Sequence, residues 1–174
     1  LSGVSIEDSD RIRVHSQILS RKKMLREVFG EFYRSCMDLD ERYFGKTEGP
    51  RVELGAGVSF FKTMYPQVMT TDIKPAPHLD GVVDAQAMPF EAGSVRSVFA
   101  INMFHHLPEP EKFFKELLRV LKPGGGCVLI DPYWGPVASW MYKRLFVSED
   151  FNKNDPAWSS GERGAMLGAN QALS

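Results

Sequence analysis

The stretch RVELGAGVSFFKTMYPQVMTTDIKP, residues 51–75, decides how the rest of the chain reads. A short apolar run ends in two glycines, Gly55 and Gly57. A second apolar run ends in Asp72, 17 positions after the first glycine. Glycine has no Cβ, so backbone there can approach a ligand closely and can turn with positive φ. RVEL reads as a strand, VSFFKTMY as a helix ended by Pro66, and QVMTT as a second strand. The helix would offer unpaired N–H groups and the positive end of its dipole to a carboxylate or phosphate. Taken alone, the glycine pair is equally a tight strand-to-helix turn. Asp72 is either an acceptor for a ribose diol or a turn aspartate ahead of KPAP.

Outward from this stretch, GVV (81–83), RSVFAI (96–101) and CVLID (127–131) read as strands three, four and five. The last is a continuous apolar run, as a buried parallel strand should be. DIKPAPHLD is too short and proline-rich for a crossover helix and reads as a loop. EPEKFFKELLRVLKPGGG predicts a helix with Pro110 near its first turn and Phe113, Phe114, Leu117, Leu118 and Leu121 on its buried face. Upstream, Ile18, Leu25, Val28, Phe29, Phe32 and Cys36 recur at helical spacing and predict one amphipathic helix over about residues 16–38. A last helix is expected over 137–146.

Strands alternating with helices imply an α/β chain, a Rossmann-like doubly wound sheet that is mostly parallel with right-handed crossovers. Ligands of such sheets sit outside the carboxyl ends of the strands, at the topological switch point. Gly55 to Gly57, Asp72, Asp84 and Asn102 all stand at strand ends. Asp84, in DAQAMPF, is either an acceptor for an exocyclic adenine amine or a loop acid.

A length of 174 residues argues for one domain, and 43% apolar with 25% charged residues is ordinary globular composition. A net charge of −1 supplies no general reason to bind nucleic acid or an anionic membrane, although residues 21–26 form a local basic patch. No apolar run reaches the ~18 residues of a membrane span. Cys36 and Cys127 show neither metal-ligand spacing nor a disulfide framework; they read as free thiols of a reducing compartment, with a cytoplasmic location expected. No metal site is expected.

VELGAG, TDI, DAQAMPFEAGSVRSVFAINMFHHL, FFKELLRVLKPGG and VLIDP occur in this order, and together they resemble the class I S-adenosylmethionine-dependent methyltransferases over residues 51–132. The resemblance implies S-adenosylmethionine as cofactor and S-adenosylhomocysteine as product. Gly55, Ala56 and Gly57 would lie against the methionine part, with Glu53 facing its ammonium. Asp72 would hold the ribose hydroxyls and Ile73 would pack on the adenine. Asp84 and Ala85 would contact the adenine edge, and Asn102 and Met103 would line the cofactor after strand four. Ser59 stands where the family often has a third small residue. A nicotinamide dinucleotide site would want glycine at Phe60, where a bulky side chain disfavours a pyrophosphate.

That family's sheet normally ends in a sixth and a seventh strand. Residues 133–174 show no clear strand, so strands six and seven are expected to be lacking here through truncation. The expected division is an N-terminal helical cap (1–47), a cofactor-binding core (48–132) and a partial substrate-side segment (133–174). The implied activity is methyl transfer to a small-molecule, lipid or glycan-type acceptor. The alternatives are a non-catalytic cofactor-binding module or an NAD-binding protein. His105 and His106 stand where a substrate would approach, as base or as packing, and the catalytic residue stays open. Tyr43, Phe44, Tyr133, Trp134, Trp140 and Tyr142 are aromatic residues that either wall an acceptor pocket together or, each taken singly, pack in the core.

Overall fold

The computed structural model describes residues 11–132 together with Gly135 and Trp140. Within them the chain forms α1 (Arg11–Arg21), α2 (Lys23–Phe44), β1 (Arg51–Leu54), α3 (Phe61–Met64), β2 (Val68–Asp72), β3 (Gly81–Val82), β4 (Val95–Ile101), α4 (Pro110–Val120) and β5 (Leu121–Ile130), with a 3-10 turn at Phe104–His106. The sheet runs β3-β2-β1-β4-β5, and every pairing is parallel. The chain leaves β1 toward β2 and β3, then returns to place β4 on the other side of β1. The switch point therefore falls between β1 and β4, as a doubly wound sheet requires.

Successive side chains of a strand point to opposite faces, so each strand feeds two cores. Val52 and Leu54 of β1 pack with Val83, Met88, Phe104, Phe113, Leu117 and Val120 on the α4 face. Tyr33, Cys36 and Met37 of α2 pack with Phe61, Val68, Phe99 and Val128 on the other. Glu53, between Val52 and Leu54, is thereby carried to the α2 side and is only 2% exposed.

Several expected elements shift. The single N-terminal helix is two helices, because Lys22 is extended (φ −100°, ψ 91°) and breaks the hydrogen-bonded run. Val28 faces solvent; the buried stripe of α2 is Gly30, Tyr33, Cys36, Met37 and Asp40. The helix expected over VSFFKTMY is one turn, Phe61–Met64, since the Ser59 hydroxyl accepts from the Phe61 amide and holds the preceding residues as a loop. It is too short, and starts too late, to aim a dipole at the glycines.

On α4 the buried stripe is Pro110, Phe113, Leu117 and Val120, leaving Phe114 (38% exposed) and Leu118 (84% exposed) outside it. Leu121 already begins β5, which starts six residues earlier than CVLID. The Pro-Gly run is itself paired to β4: Val95 opposes Leu121, the register then shifts, and Ser97 opposes Gly126. Gly126 admits no side chain, because a Cβ there would stand 2.1 Å from the Phe44 ring. The helix expected over 137–146 lies outside the described residues, save Trp140, which is helical.

Candidate functional site

The loop after β1 is shaped by two left-handed residues, Gly55 (φ 66°) and Gly57 (φ 52°). The Gly55 backbone runs hard against Met103, and a Cβ there would lie 2.3 Å from the Met103 Cγ. Gly57 has open space where its Cβ would be. The loop is tied to β2. Ala56 N–H donates to the Thr71 carbonyl (2.9 Å), and Gly57 N–H donates to Asp72 Oδ2 (2.8 Å). Asp72 Oδ1 accepts from the Lys74 amide (3.0 Å), so this carboxylate fixes the glycine loop and its own turn at once. Each oxygen keeps a further lone pair for a ligand. Gly55→Ala is expected to cost about 1–3 kcal/mol from left-handed backbone strain and displacement of Met103. A fall in the urea midpoint at unchanged slope would register it; an unchanged midpoint would contradict the packing described.

A cleft opens at the carboxyl ends of β1, β2 and β4. Gly55, Gly57, Asp72, Ile73, Asp84, Ala85, Asn102 and Met103 all line it, with Gln86, His106, Leu107 and Pro108. Ile73 is 46% exposed at its mouth, an apolar face available to a flat ring. Asp84 Oδ1 accepts from the Gln86 amide (2.8 Å), which shapes the turn at the cleft wall. Asn102 takes a left-handed conformation (φ 52°), held by donation from its N–H to the Ile130 carbonyl (2.7 Å).

Glu53 and Ala56 do not line this cleft. They line a second, mostly apolar cavity that meets the first at Gly55, Gly57 and Asn102 and is walled by Ile18, Leu19, Leu25, Phe29 and Tyr33. Glu53 Oε2 has no hydrogen-bond partner. Burial, with the Asp72 charge acting in the same sense, pushes this carboxyl up to about 8, against the pull of the Ser59 hydroxyl. A buried acid with an idle oxygen suits a cationic ligand group.

Of the two histidines, His106 lines the first cleft and His105 is buried. Asp131 Oδ2 accepts from the His105 amide (2.9 Å), and Oδ1 lies 3.0 Å from its Nδ1. A carboxylate only accepts, so Nδ1 carries the hydrogen and Nε2 is the open nitrogen. Burial lifts Cys36 and Cys127 to about 12, which leaves neither thiol poised as a nucleophile.

Of the aromatic residues expected at an acceptor pocket, the described ones, Tyr43, Phe44 and Trp140, line neither cavity. Phe44 packs over Gly126, and Tyr43 is exposed beneath the Arg42 guanidinium. Tyr133, Trp134 and Tyr142 lie outside the described residues, and Trp140 is exposed. The residues that do wall the second cavity come from α1 and α2. Tyr33 accepts a hydrogen bond from Ser59 (3.0 Å) and stacks on Phe61. His78 was likewise not anticipated; its Nε2–H donates to the Gly57 carbonyl (2.7 Å) and clasps the glycine loop from outside. Phe60, at the position a dinucleotide site would give to glycine, packs edge-on to Tyr33.

The family described as "Methyltransferase domain" matches residues 52–129. Among curated relatives, a chloroplastic tocopherol O-methyltransferase of Arabidopsis thaliana is 33% identical over 69 residues, 40% of this chain and 18% of that one. A 2-methyl-6-phytyl-1,4-hydroquinone methyltransferase of Synechocystis is 46% identical over 50 residues, 29% of this chain and 16% of that one. The matches to these two relatives span less than a fifth of their length. Among solved structures, a geranyl diphosphate C-methyltransferase from Streptomyces coelicolor A3(2), in complex with S-adenosyl-L-homocysteine, aligns with a TM-score of 0.53 at 17% identity, over 80% of this chain and 58% of that one. The parallel sheet, its β1–β4 switch point, the paired left-handed glycines and the matched domain agree: over residues 52–129 the chain is similar to the class I S-adenosylmethionine-dependent methyltransferases.

Proposed function

We propose that the protein is an enzyme that transfers a methyl group from S-adenosylmethionine to a small, largely apolar acceptor. The observation that carries this reading is the pair of joined cavities. The polar-rimmed cleft at Asp72, Ile73, Asp84 and Ala85 suits an adenosine, and the cavity at Glu53 and Gly55 to Gly57 suits the methionine end. In this reading Asp72 accepts from the ribose hydroxyls, Ile73 packs on the adenine, and Asp84 with Ala85 meets its edge. Asn102 and Met103 support the middle of the cofactor, and Glu53 faces the ammonium. The cofactor supplies the electrophilic methyl; the chain positions it and excludes water. Both curated relatives act on acceptors named for apolar molecules, and the wall of Ile18, Leu19, Leu25 and Phe29 supports an acceptor of that class here. Among the described residues no helix is long and apolar enough to cross a membrane, and the free thiols favour a cytoplasmic location.

Titration calorimetry with S-adenosylhomocysteine tests the reading. Wild-type protein should bind it. Asp72→Ala should bind roughly 5- to 150-fold more weakly, equivalent to about 1–3 kcal/mol for removing a charged hydrogen-bond partner. A folded wild-type protein that takes up no S-adenosylhomocysteine would end the proposal.

A further inference from the structure

Beside the apolar cavity lies a pocket between α1 and the loop after β1, lined by Ser16, Leu19, Ser20, Arg26, Val58, Ser59, Phe60, Thr63 and His78. It shares Leu19, Val58 and Ser59 with the apolar cavity. No Asp or Glu lines it. We propose that this pocket is an anion subsite in which Arg26 receives the phosphate or carboxylate group of an acceptor whose apolar body lies along Ile18, Leu19, Leu25 and Phe29. The inference rests on the methyltransferase reading only for the word acceptor; the subsite itself rests on the pocket.

Arg26 supplies the guanidinium of this pocket. Its guanidinium lies over the Phe60 ring, 5.5 Å from the centroid, which orients the planar fork without using its N–H donors. Neighbouring cations are committed differently: Arg34 pairs with Glu31 (2.6 Å), and Lys23 lies 3.7 Å from Glu27. Among the described residues Arg26 makes no ion pair with a carboxylate. Arg21, Lys23, Glu27 and Arg34 line the adjoining groove with Arg26, so its charged side chains are net positive even with Lys23 set against Glu27. Within the pocket, Ser20 donates to the Gln17 carbonyl, Ser59 to Tyr33 and His78 to the Gly57 carbonyl, so the donors left for an anion are the Arg26 fork and the Ser16 and Thr63 hydroxyls, of which only Arg26 is charged. A guanidinium held on a ring, with no carboxylate in the pocket and the nearby Glu27 paired to Lys23, fits a carboxylate or phosphate better than a neutral headgroup. The continuity through Leu19 and Val58 then selects an amphiphile over a small free anion.

The probes are octyl phosphate, octanoate and 1-octanol, titrated calorimetrically into the full chain saturated with S-adenosylhomocysteine. The expected result is that octyl phosphate or octanoate binds at least tenfold more tightly than octanol. Which of the two binds better assigns the headgroup. Arg26→Ala should abolish that difference and Arg26→Lys should restore part of it, since a point charge replaces a bidentate fork. Equal binding of octanol and both anions overturns the proposal, as does discrimination that survives in Arg26→Ala. Unchanged S-adenosylhomocysteine affinity in Arg26→Ala keeps the two readings separate: failure of wild-type cofactor binding counts against the methyltransferase reading, and loss of headgroup discrimination alone counts against this one.

Discussion

Glu53→Gln is expected to stabilise the ligand-free protein at pH 9 and to leave it nearly unchanged at pH 5. The folded protein holds a proton on Glu53 up to about pH 8, whereas the group's ordinary value is 4.5. Folding therefore takes up a proton between those values. The contribution of Glu53 to stability is fully present below pH 4.5 and is lost as pH rises through 8. At about 1.4 kcal/mol per pKa unit, the loss is on the order of 3–5 kcal/mol, an upper value because relaxation and water entry soften it. Gln reproduces the neutral acid and cannot ionise. Tyr33 and Cys36 of α2 face the same space, but burial pushes both upward, so neither titrates in this window. Asp72 of β2 is the charge that reinforces the shift. Urea unfolding at pH 5, 7 and 9 should show wild-type stability declining and the variant nearly flat across the range. Parallel declines in both proteins would show that Glu53 is not the titrating group.

The same variant should act oppositely on the cofactor. An ammonium brought against Glu53 provides a counter-charge, so binding favours the ionised carboxylate. Glu53→Gln should then weaken S-adenosylhomocysteine affinity while raising ligand-free stability. A purely structural Glu53 would move stability alone.

These side chains differ in how far the amino-acid order reveals them. Gly55 and Gly57 are legible because local backbone demands left-handed residues there, and Asp72 because it is an acid at a strand end; that Asp72 also closes the loop at Gly57 N–H is not legible. The parallel strands were legible for a similar reason, each being a short apolar run bounded by loop residues. What stayed hidden depends on partners far apart in the chain. Ser59 meets Tyr33 across 26 positions, and His105 meets Asp131 across the same distance. The wall of the apolar cavity depends on one extended residue, Lys22, for which helical periodicity carries no signal. Phe44 read as a pocket aromatic because its type suits one; Gly126, 82 positions later, is what receives it.

The largest stability effect is expected at Asp40, whose side chain is fully buried where α2 crosses the sheet. Its Oδ2 accepts from Arg51 Nε of β1 (2.8 Å) and from Arg96 Nη2 of β4 (2.7 Å), and its Oδ1 accepts from Arg96 Nε (3.2 Å). Arg51 and Arg96 also reach Glu41, but that carboxylate is more than half exposed and screened. Asp40→Ala leaves two guanidinium groups facing an empty site. Arg51 can turn toward solvent, whereas Arg96, with 8% of its side chain exposed, cannot leave without opening the α2 contact. Breaking such a buried pair from one side costs about 3–5 kcal/mol, a large part of the 5–15 kcal/mol typical of a whole domain. Asp40→Asn keeps one acceptor oxygen and should lose less, giving a folded variant if the alanine does not fold. Because α2 also carries Leu25, Phe29 and Tyr33 to the apolar cavity, loosening it should weaken octyl phosphate binding more than it weakens S-adenosylhomocysteine binding at the sheet ends. Urea unfolding that places Asp40→Ala within 1 kcal/mol of wild type, the upper end for an exposed ion pair, would show that the cluster behaves as one and does not pin the helix.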